Sequence, residues 1–252
     1  MNKHTKRIRM FAGPNGSGKS TIKKRLRHGL IGIYINPDEI EKDITENGFL
    51  NFAKYNLLVS QKEVFDFFEN SSFLKQVNLL DKVNSLQFKA NKLVFKDLQV
   101  NSYFASVASD FIRHELLKID ETFTFSFETV MSSVDKVEFL KKAQELGFRT
   151  YLYYIATEKP SINIERVAGR VKRGGHPVPK DKIIARYYRS LELLFSAIQF
   201  TNRAYIFDNS AHEDICIAEI TNGKELEAKI IELPDWFKQS VWDKFESASL
   251  SK

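Results

Sequence analysis

The sequence predicts an α/β fold in which helices cover both faces of a parallel sheet. Two observations support this prediction. Short runs rich in aromatic and β-branched residues alternate with longer amphipathic segments, and a glycine-rich loop stands between the first predicted strand and the first predicted helix. A chain of 252 residues, 43% of them hydrophobic, is long enough for one large domain that carries an insertion.

The strands of this sheet are predicted from the short aromatic and β-branched runs, which are typical of buried strands. These runs are Arg7–Ala12, Gly32–Asn36, Phe123–Glu128, Arg149–Ala156 and Arg203–Asp208. Apolar residues at helical spacing predict helices between them, at Phe104–Phe111, Ile164–Val171 and Ile184–Phe195. The alternation of strands with helices favours a five-stranded parallel sheet.

The predicted domain organisation is one core with an insertion and a C-terminal addition. The core covers residues 1–210 and is interrupted at residues 51–100, where apolar spacing predicts helices but no pattern indicates chemistry. Residues 211–252 are expected to pack on the core as a hairpin that turns at Asn222–Gly223, followed by a helix near Pro234–Phe245.

Composition excludes several classes of protein. The single cysteine, Cys216, excludes an intramolecular disulfide framework and a cysteine-based metal cluster, and it indicates a reducing compartment. The basic N-terminal segment lacks the continuous apolar core of a signal peptide, and no apolar run approaches the ~20 residues of a membrane helix. We therefore expect a cytoplasmic protein. Its net charge of +6 suits an anionic ligand, although a solvated surface or non-specific nucleic-acid affinity would give the same balance.

One motif carries the predicted chemistry and consists of Gly13, Pro14, Asn15, Gly16, Ser17, Gly18, Lys19 and Ser20, followed by Thr21. It fits G-x-x-x-x-G-K-[ST], with a strand before it and a helix after it, as a phosphate-binding loop (P-loop) requires. In such a loop the backbone N–H groups surround a phosphate, the lysine reaches the β- and γ-phosphates, and the serine ligates Mg²⁺. The motif predicts ATP and Mg²⁺ as cofactors.

Exclusions narrow the class of P-loop protein. The sequence lacks the LSGGQ signature of transport ATPases and an NKxD segment that reads guanine, and no apolar strand ends in the paired acids of a helicase. The small-kinase branch remains, with its three-layer fold.

A candidate general base follows the second predicted strand. Asn36 can cap the next helix, Pro37 suits its first position, and Asp38 then lies in the first turn. In a parallel sheet this carboxylate is expected at the edge where ligands bind, and it could accept the proton of an attacking hydroxyl. By position alone, Asp38 could equally serve only to complement the helix dipole.

Further candidates lie later in the chain. The third predicted strand ends in Glu128, followed by Thr129, which places an acid and a hydroxyl at the same edge. A basic helix face follows, built of Arg166, Arg170 and Arg173, and a second one of Lys182, Arg186 and Arg189. The Gly174–Pro177 segment joins the two faces, and we expect them to form a lid over the triphosphate. Surface arginines paired with acids would give the same spacing.

Seven segments together resemble the zeta-toxin family of P-loop kinases, and its compact bacterial branch in particular. In chain order they are GPNGSGKST, INPDEI, FSFETVMS, YLYYIAT, INIERVAGRVKRGGHPVP, RYYRSLE and AYIFDNS. The resemblance implies the strand order 2-3-1-4-5 and ATP-dependent phosphorylation of a sugar hydroxyl on UDP-N-acetylglucosamine, held in check by an antitoxin protein.

The resemblance also implies a role for each matching residue. Lys19 and Ser20 bind nucleotide and Mg²⁺, and Asp38 is the base. Asn36, Asp38, Glu128 and Thr129 contact the substrate. Arg170 and a later lid arginine, for which we choose Arg186, stabilise the transferring phosphoryl group, and Arg173 contacts ATP.

Two other functions fit the same motif. One is a kinase for a different acceptor, either a nucleic-acid end or a small metabolite, although base-stacking aromatics beside the basic residues are not evident in the sequence. We therefore expect neither a specific nucleic-acid partner nor a membrane partner. The other is a switch that binds ATP without transferring phosphate.

Overall fold

The computed structural model describes residues 5–95, 101–121 and 123–250, except for the side chains of residues 248–250. The chain divides into two compact units. The first unit is Met1–Gly32 together with Thr122–Lys252, and the second is Ile33–Glu121. The second unit is therefore inserted in the sequence of the first.

Strands and helices alternate along most of the first unit, as predicted. In chain order the strands are β1 (Arg7–Ala12), β2 (Ile33–Ile35), β3 (Phe49–Asn51), β4 (Gln87–Lys89), β5 (Lys92–Val94), β6 (Thr124–Thr129), β7 (Arg149–Ala156), β8 (Arg203–Asp208), β9 (Ile215–Thr221) and β10 (Glu225–Ala228). The α-helices are α1 (Lys19–Arg25), α2 (His28–Ile31), α3 (Pro37–Asn47), α4 (Gln61–Glu69), α5 (Ser72–Gln76), α6 (Ser102–Leu117), α7 (Asp135–Glu145), α8 (Pro160–Val171), α9 (Lys180–Gln199), α10 (Asp235–Phe237) and α11 (Asp243–Leu250). Shorter 3₁₀ helices lie at Phe52–Tyr55 and Leu80–Ser85, and a π-helical turn at Lys238–Trp242 joins α10 to α11.

The strands of the first unit form a mixed sheet in the order β10-β9-β8-β7-β1-β6. β6, β1, β7 and β8 are parallel, and they follow the expected order 3-1-4-5 of the predicted strands. The remaining predicted strand, Gly32–Asn36, appears as β2 within the second unit. The sheet has more strands than the predicted parallel core, because β9 and β10 add to its edge as antiparallel strands. The hairpin predicted at Asn222–Gly223 joins these two strands.

The two faces of this sheet differ in burial. One face is fully buried by aromatic and aliphatic side chains, among them Met10, Phe127, Leu152 and Tyr154, and Phe127 meets Phe139 of α7 edge to face at 5.3 Å. The other face carries a ladder of stacked rings in which Tyr153 lies 5.1 Å from Phe11 and 5.0 Å from Tyr205. The buried face supplies most of the apolar burial that holds the parallel strands together.

The second unit corrects the prediction of a purely helical insertion. Besides α4 and α5 it contains a three-stranded antiparallel sheet in the order β3-β5-β4. Three-residue strands are too short to show alternation of apolar and polar residues, so the sequence pattern did not reveal them. Ala90 and Asn91 join β4 to β5 with φ values of 49° and 59°, as in a tight hairpin turn. Residues 96–100 of the predicted insertion lie outside the described residues.

The predicted C-terminal helix begins with α10, whose Trp236 and Phe237 are buried. Within the described part of the chain, no helix combines the length and apolar character needed to cross a membrane.

Candidate active site: the phosphate-binding loop

The glycine-rich loop lies at the carboxyl end of β1, between the ends of β6 and β7. Gly18 precedes α1 with a φ of 104°, and α1 has no acid in its first turn and a cluster of basic residues in its last. The positive end of the helix dipole therefore faces the loop without a neutralising carboxylate from that turn. This is the geometry that the motif predicted.

Within the loop the side chain of Ser17 is fully buried, whereas Ser20 and Thr21 are exposed. The Lys19 ammonium donates hydrogen bonds of 2.9 Å to the carbonyl oxygens of Gly13 and Pro14. The lysine therefore folds back over the loop, so its charge lies beside the backbone of the motif. The Ser17 N–H donates to the Pro14 carbonyl oxygen at 3.2 Å, which closes a turn inside the loop.

Ser20 is joined to Glu128 by a hydrogen bond that the sheet register makes possible. β6 lies beside β1 with Phe11 opposite Glu128, so the carboxylate emerges next to the loop. The Ser20 hydroxyl donates to the two carboxylate oxygens at 3.0 and 3.3 Å. Among the described residues no group of three or more His, Cys, Asp or Glu could hold a metal ion, but Mg²⁺ in P-loop proteins needs only one or two protein oxygens beside phosphates and water. The Ser20 and Glu128 oxygens fit that ion.

Thr129, predicted to contact substrate, has a local structural contact. Its hydroxyl oxygen accepts a hydrogen bond of 3.0 Å from the N–H of Met131, a non-glycine residue with a φ of 54°. The hydroxyl proton is not used in that bond and can still be donated.

The predicted lid arginines occupy different places. Arg186 of α9 is half-buried and lies 3.5 Å from the Asn15 side-chain oxygen, so it reaches the loop. Arg170 of α8 instead donates to the carbonyl oxygen of His176 at 2.9 Å, and Arg173 is exposed beyond the end of that helix. Arg166 is bound to the carbonyl oxygens of Asn209 and Ala211, after β8.

Asn36 and Asp38 belong to the second unit. Asn36 caps α3 as predicted, because its side-chain oxygen accepts a hydrogen bond of 2.9 Å from the N–H of Asp38. Asp38 is exposed in the first turn of that helix. The role of Asp38 as a base and that of Asn36 as a substrate contact stay predictions.

Two further asparagines contact the loop and were not predicted. Asn163 of α8 donates to the carbonyl oxygen of Asn15, and Asn209 donates to that of Ser17. The position of Asn209, directly after a strand at the ligand-binding edge, is a signal that could have indicated it. Asn163 lies within an amphipathic helix and gave no such signal.

Comparisons with known proteins bear on the fold. No protein-family model matches the chain. The solved complex of AvrRxo1-ORF1 and -ORF2 with ATP is similar to it, with a TM-score of 0.53 and 12% identity over 90% of this chain and 62% of that one. The same pair with sulphate ions gives a TM-score of 0.52, with 11% identity over 89% of this chain and 61% of that one.

The chain therefore shares its fold with the AvrRxo1 chain. In sequence, an uncharacterized protein of Haemophilus influenzae is 36% identical to it over 63 residues, which is 25% of this chain and 45% of that protein. The chain thus spans less than two thirds of the AvrRxo1 chain and less than half of the Haemophilus protein.

Proposed function

We propose that the protein is an ATP-dependent phosphotransferase of the zeta-toxin type. It phosphorylates a hydroxyl group of a small anionic substrate such as UDP-N-acetylglucosamine. The observation that carries the proposal is the contact between Ser20 of the phosphate-binding loop and Glu128 at the end of the neighbouring strand, because it gives the loop the oxygen ligands that a nucleotide-bound Mg²⁺ requires. The ATP in the AvrRxo1 structure supports the choice of nucleotide.

The loop residues bind the triphosphate. Backbone N–H groups of the loop between Asn15 and Ser20, other than that of Ser17, surround the β-phosphate, and the Lys19 ammonium exchanges its carbonyl partners for β- and γ-phosphate oxygens. Ser20 and Glu128 would hold Mg²⁺, which would supply positive charge to neutralise those phosphates. Because Glu128 is engaged with Ser20, its role in this proposal is to hold the ion rather than to bind the substrate directly.

The remaining residues are assigned to the transfer step in this proposal. The substrate hydroxyl oxygen forms a bond to the γ-phosphorus, the bond from that phosphorus to the bridging oxygen of ADP breaks, and Asp38 accepts the hydroxyl proton. Arg186 and Arg170 stabilise the charge of the transferring group, while Arg173 contacts ATP. Asn36 and Thr129 contact the substrate, and Thr129 does so with its remaining hydroxyl proton.

Arg186 must change partner to take this role. It donates to the Asn15 side-chain oxygen at the long distance of 3.5 Å, and a neutral oxygen is a weaker partner for a guanidinium than a phosphate. Binding of ATP is therefore expected to draw Arg186 from Asn15 to the γ-phosphate.

The proposed setting is the cytoplasm, where ATP is abundant and a single thiol stays reduced. The AvrRxo1 structures contain a second protein, ORF2, and this supports the proposal that an antitoxin-like protein binds the kinase and restrains it.

Incubation with ATP labelled on the γ-phosphate tests the proposal and separates it from the alternatives. We expect label on UDP-N-acetylglucosamine. Label on oligonucleotide ends would identify a different acceptor, and release of phosphate without transfer would indicate an ATP-dependent switch. Lys19→Ala should abolish transfer. Lys24→Ala, which removes an exposed charge from the same helix, is the matched control and should leave transfer unchanged.

A further inference from the structure

Two carbonyl oxygens of the phosphate-binding loop are held by asparagine side chains from outside it. The Asn163 amide nitrogen donates to the Asn15 carbonyl at 2.7 Å, and the Asn209 amide nitrogen donates to the Ser17 carbonyl at 2.8 Å. Asn163 comes from α8 and Asn209 from the end of β8. Two separate elements of the first unit therefore hold alternate peptide groups of one loop.

Both amides are themselves fixed. Asn163 is fully buried, and its side-chain oxygen accepts a hydrogen bond from the Thr157 hydroxyl. Asn209 is anchored through its backbone, because its N–H donates to Ala156 at 2.8 Å and its carbonyl accepts from Arg166 at 2.7 Å. A carbonyl oxygen can only accept, so each amide must present its nitrogen to the loop.

Asn163 and Asn209 lie so close to the loop that there is no room for a side chain at Gly16 or Gly18. A Cβ on Gly16 would lie 2.7 Å from the backbone carbonyl oxygen of Asn163, and a Cβ on Gly18 would lie 2.3 Å from the side-chain nitrogen of Asn209. Both distances are below any normal contact, and both glycines have positive φ, of 76° and 104°. Two glycines of the motif are therefore needed for contact with these asparagines, in addition to any approach to phosphate.

A phosphate-binding loop turns its N–H groups inward, toward the anion, and its carbonyl groups outward. An outward carbonyl that faces protein requires a donor. We propose that Asn163 and Asn209 are positioning residues, which by binding the Asn15 and Ser17 carbonyls keep the N–H groups of the loop directed at the nucleotide phosphates. This inference rests on the proposed binding of a nucleotide by Gly13–Ser20.

Titration calorimetry with MgADP tests the inference. Asn163→Ala and Asn209→Ala should each raise the dissociation constant by about 5–30-fold, the usual effect of losing one or two hydrogen bonds from a preorganised site. Asn202→Ala is the matched control, because the Asn202 side chain also binds backbone, the N–H of Thr150 at 2.9 Å, but at the other end of the sheet. It should lower the melting temperature and leave MgADP affinity within about twofold.

Asn163→Leu covers the case in which Asn163→Ala does not fold. It keeps the size of the side chain but has no donor for Asn15, so it should weaken MgADP binding while Asn202→Leu does not. The KM for the phosphate acceptor should stay unchanged in every variant. If the asparagine variants that fold bind MgADP as well as the Asn202 variants do, the inference is wrong and nucleotide binding stands. If the wild-type protein binds neither MgADP nor MgATP, the proposed function itself is wrong.

Discussion

The Tyr154 hydroxyl, the Ser190 hydroxyl and the Val130 carbonyl form a relay of two hydrogen bonds, which holds the chain segment that follows Glu128. Substitutions at Tyr154 and Ser190 should therefore have strongly non-additive effects on the free energy of unfolding. Ser190 donates to the Val130 carbonyl at 2.8 Å, and the Tyr154 hydroxyl lies 3.0 Å from the Ser190 oxygen. The serine hydroxyl has one proton, so Tyr154 must be the donor in the second bond. Tyr154 and Ser190 are both fully buried.

The costs of single substitutions follow from which groups lose their partners. Tyr154→Phe removes a donor but leaves the Ser190–Val130 bond intact, and should lower the free energy of unfolding by about 1 kcal/mol. Ser190→Ala leaves the buried Tyr154 hydroxyl unsatisfied and removes the bond to Val130, and should cost about 2–4 kcal/mol. The double variant has no orphaned hydroxyl, so it should cost only about 1–2 kcal/mol.

Urea unfolding of the four proteins, followed by circular dichroism, measures this coupling. The effect of Tyr154→Phe on the free energy of unfolding should change sign between the two backgrounds, because this substitution should destabilise the wild type and stabilise the Ser190→Ala protein. Tyr205→Phe, on the other face of the sheet, is the control and should have the same effect in both backgrounds. An equal cost of Tyr154→Phe in both backgrounds would show that the relay is not a coupled unit.

Three further predictions concern the site and the response to pH. Asp38→Asn should reduce phosphoryl transfer by ~10²–10⁴ while MgADP affinity stays near that of the wild type, and a folded variant with full transfer activity would refute the assignment of the base. Glu128→Gln should raise the Mg²⁺ concentration for half-maximal activity by about 10–100-fold, and an unchanged Mg²⁺ titration would contradict the proposed ion site. Burial raises the pKa of Tyr154 above its ordinary value of 10.0, so its contribution to stability is complete below pH ~10 and is lost as the pH rises and the unfolded chain ionises. The free energy of unfolding of the wild type should therefore fall between pH ~9 and ~11. In Tyr154→Phe the fall should be shallower by up to ~1.4 kcal/mol per pH unit. An identical slope in the two proteins would contradict the contribution assigned to Tyr154.

The sequence predicted features that a local pattern determines. The phosphate-binding loop, the cap at Asn36 and the turn at Asn222–Gly223 each depend on residues a few positions apart, and all three are present. The parallel strands also followed from local apolar runs, since a strand buried on at least one face needs them.

Features that depend on distant contacts were not predicted. Asn163 meets Asn15 across nearly 150 positions of sequence, and nothing beside either residue reveals that contact. Arg166 and Arg170 share one helix face, and both donate to backbone carbonyl oxygens of other segments, contacts that the spacing did not reveal. Spacing places a charge on a helix face, but only tertiary structure determines what that face meets.

The insertion of the second unit between β1 and β6 bears on the order of folding. β1 and β6 are neighbours in the sheet, with Arg7 opposite Thr124, although more than a hundred residues separate them in sequence. Their pairing must close a long loop, which is entropically costly and slow. The second unit is continuous and can form its own contacts as soon as Glu121 has left the ribosome. Its compaction would shorten the effective distance between the two strands, so that the inserted unit assists the closure of the sheet that carries the phosphate-binding loop.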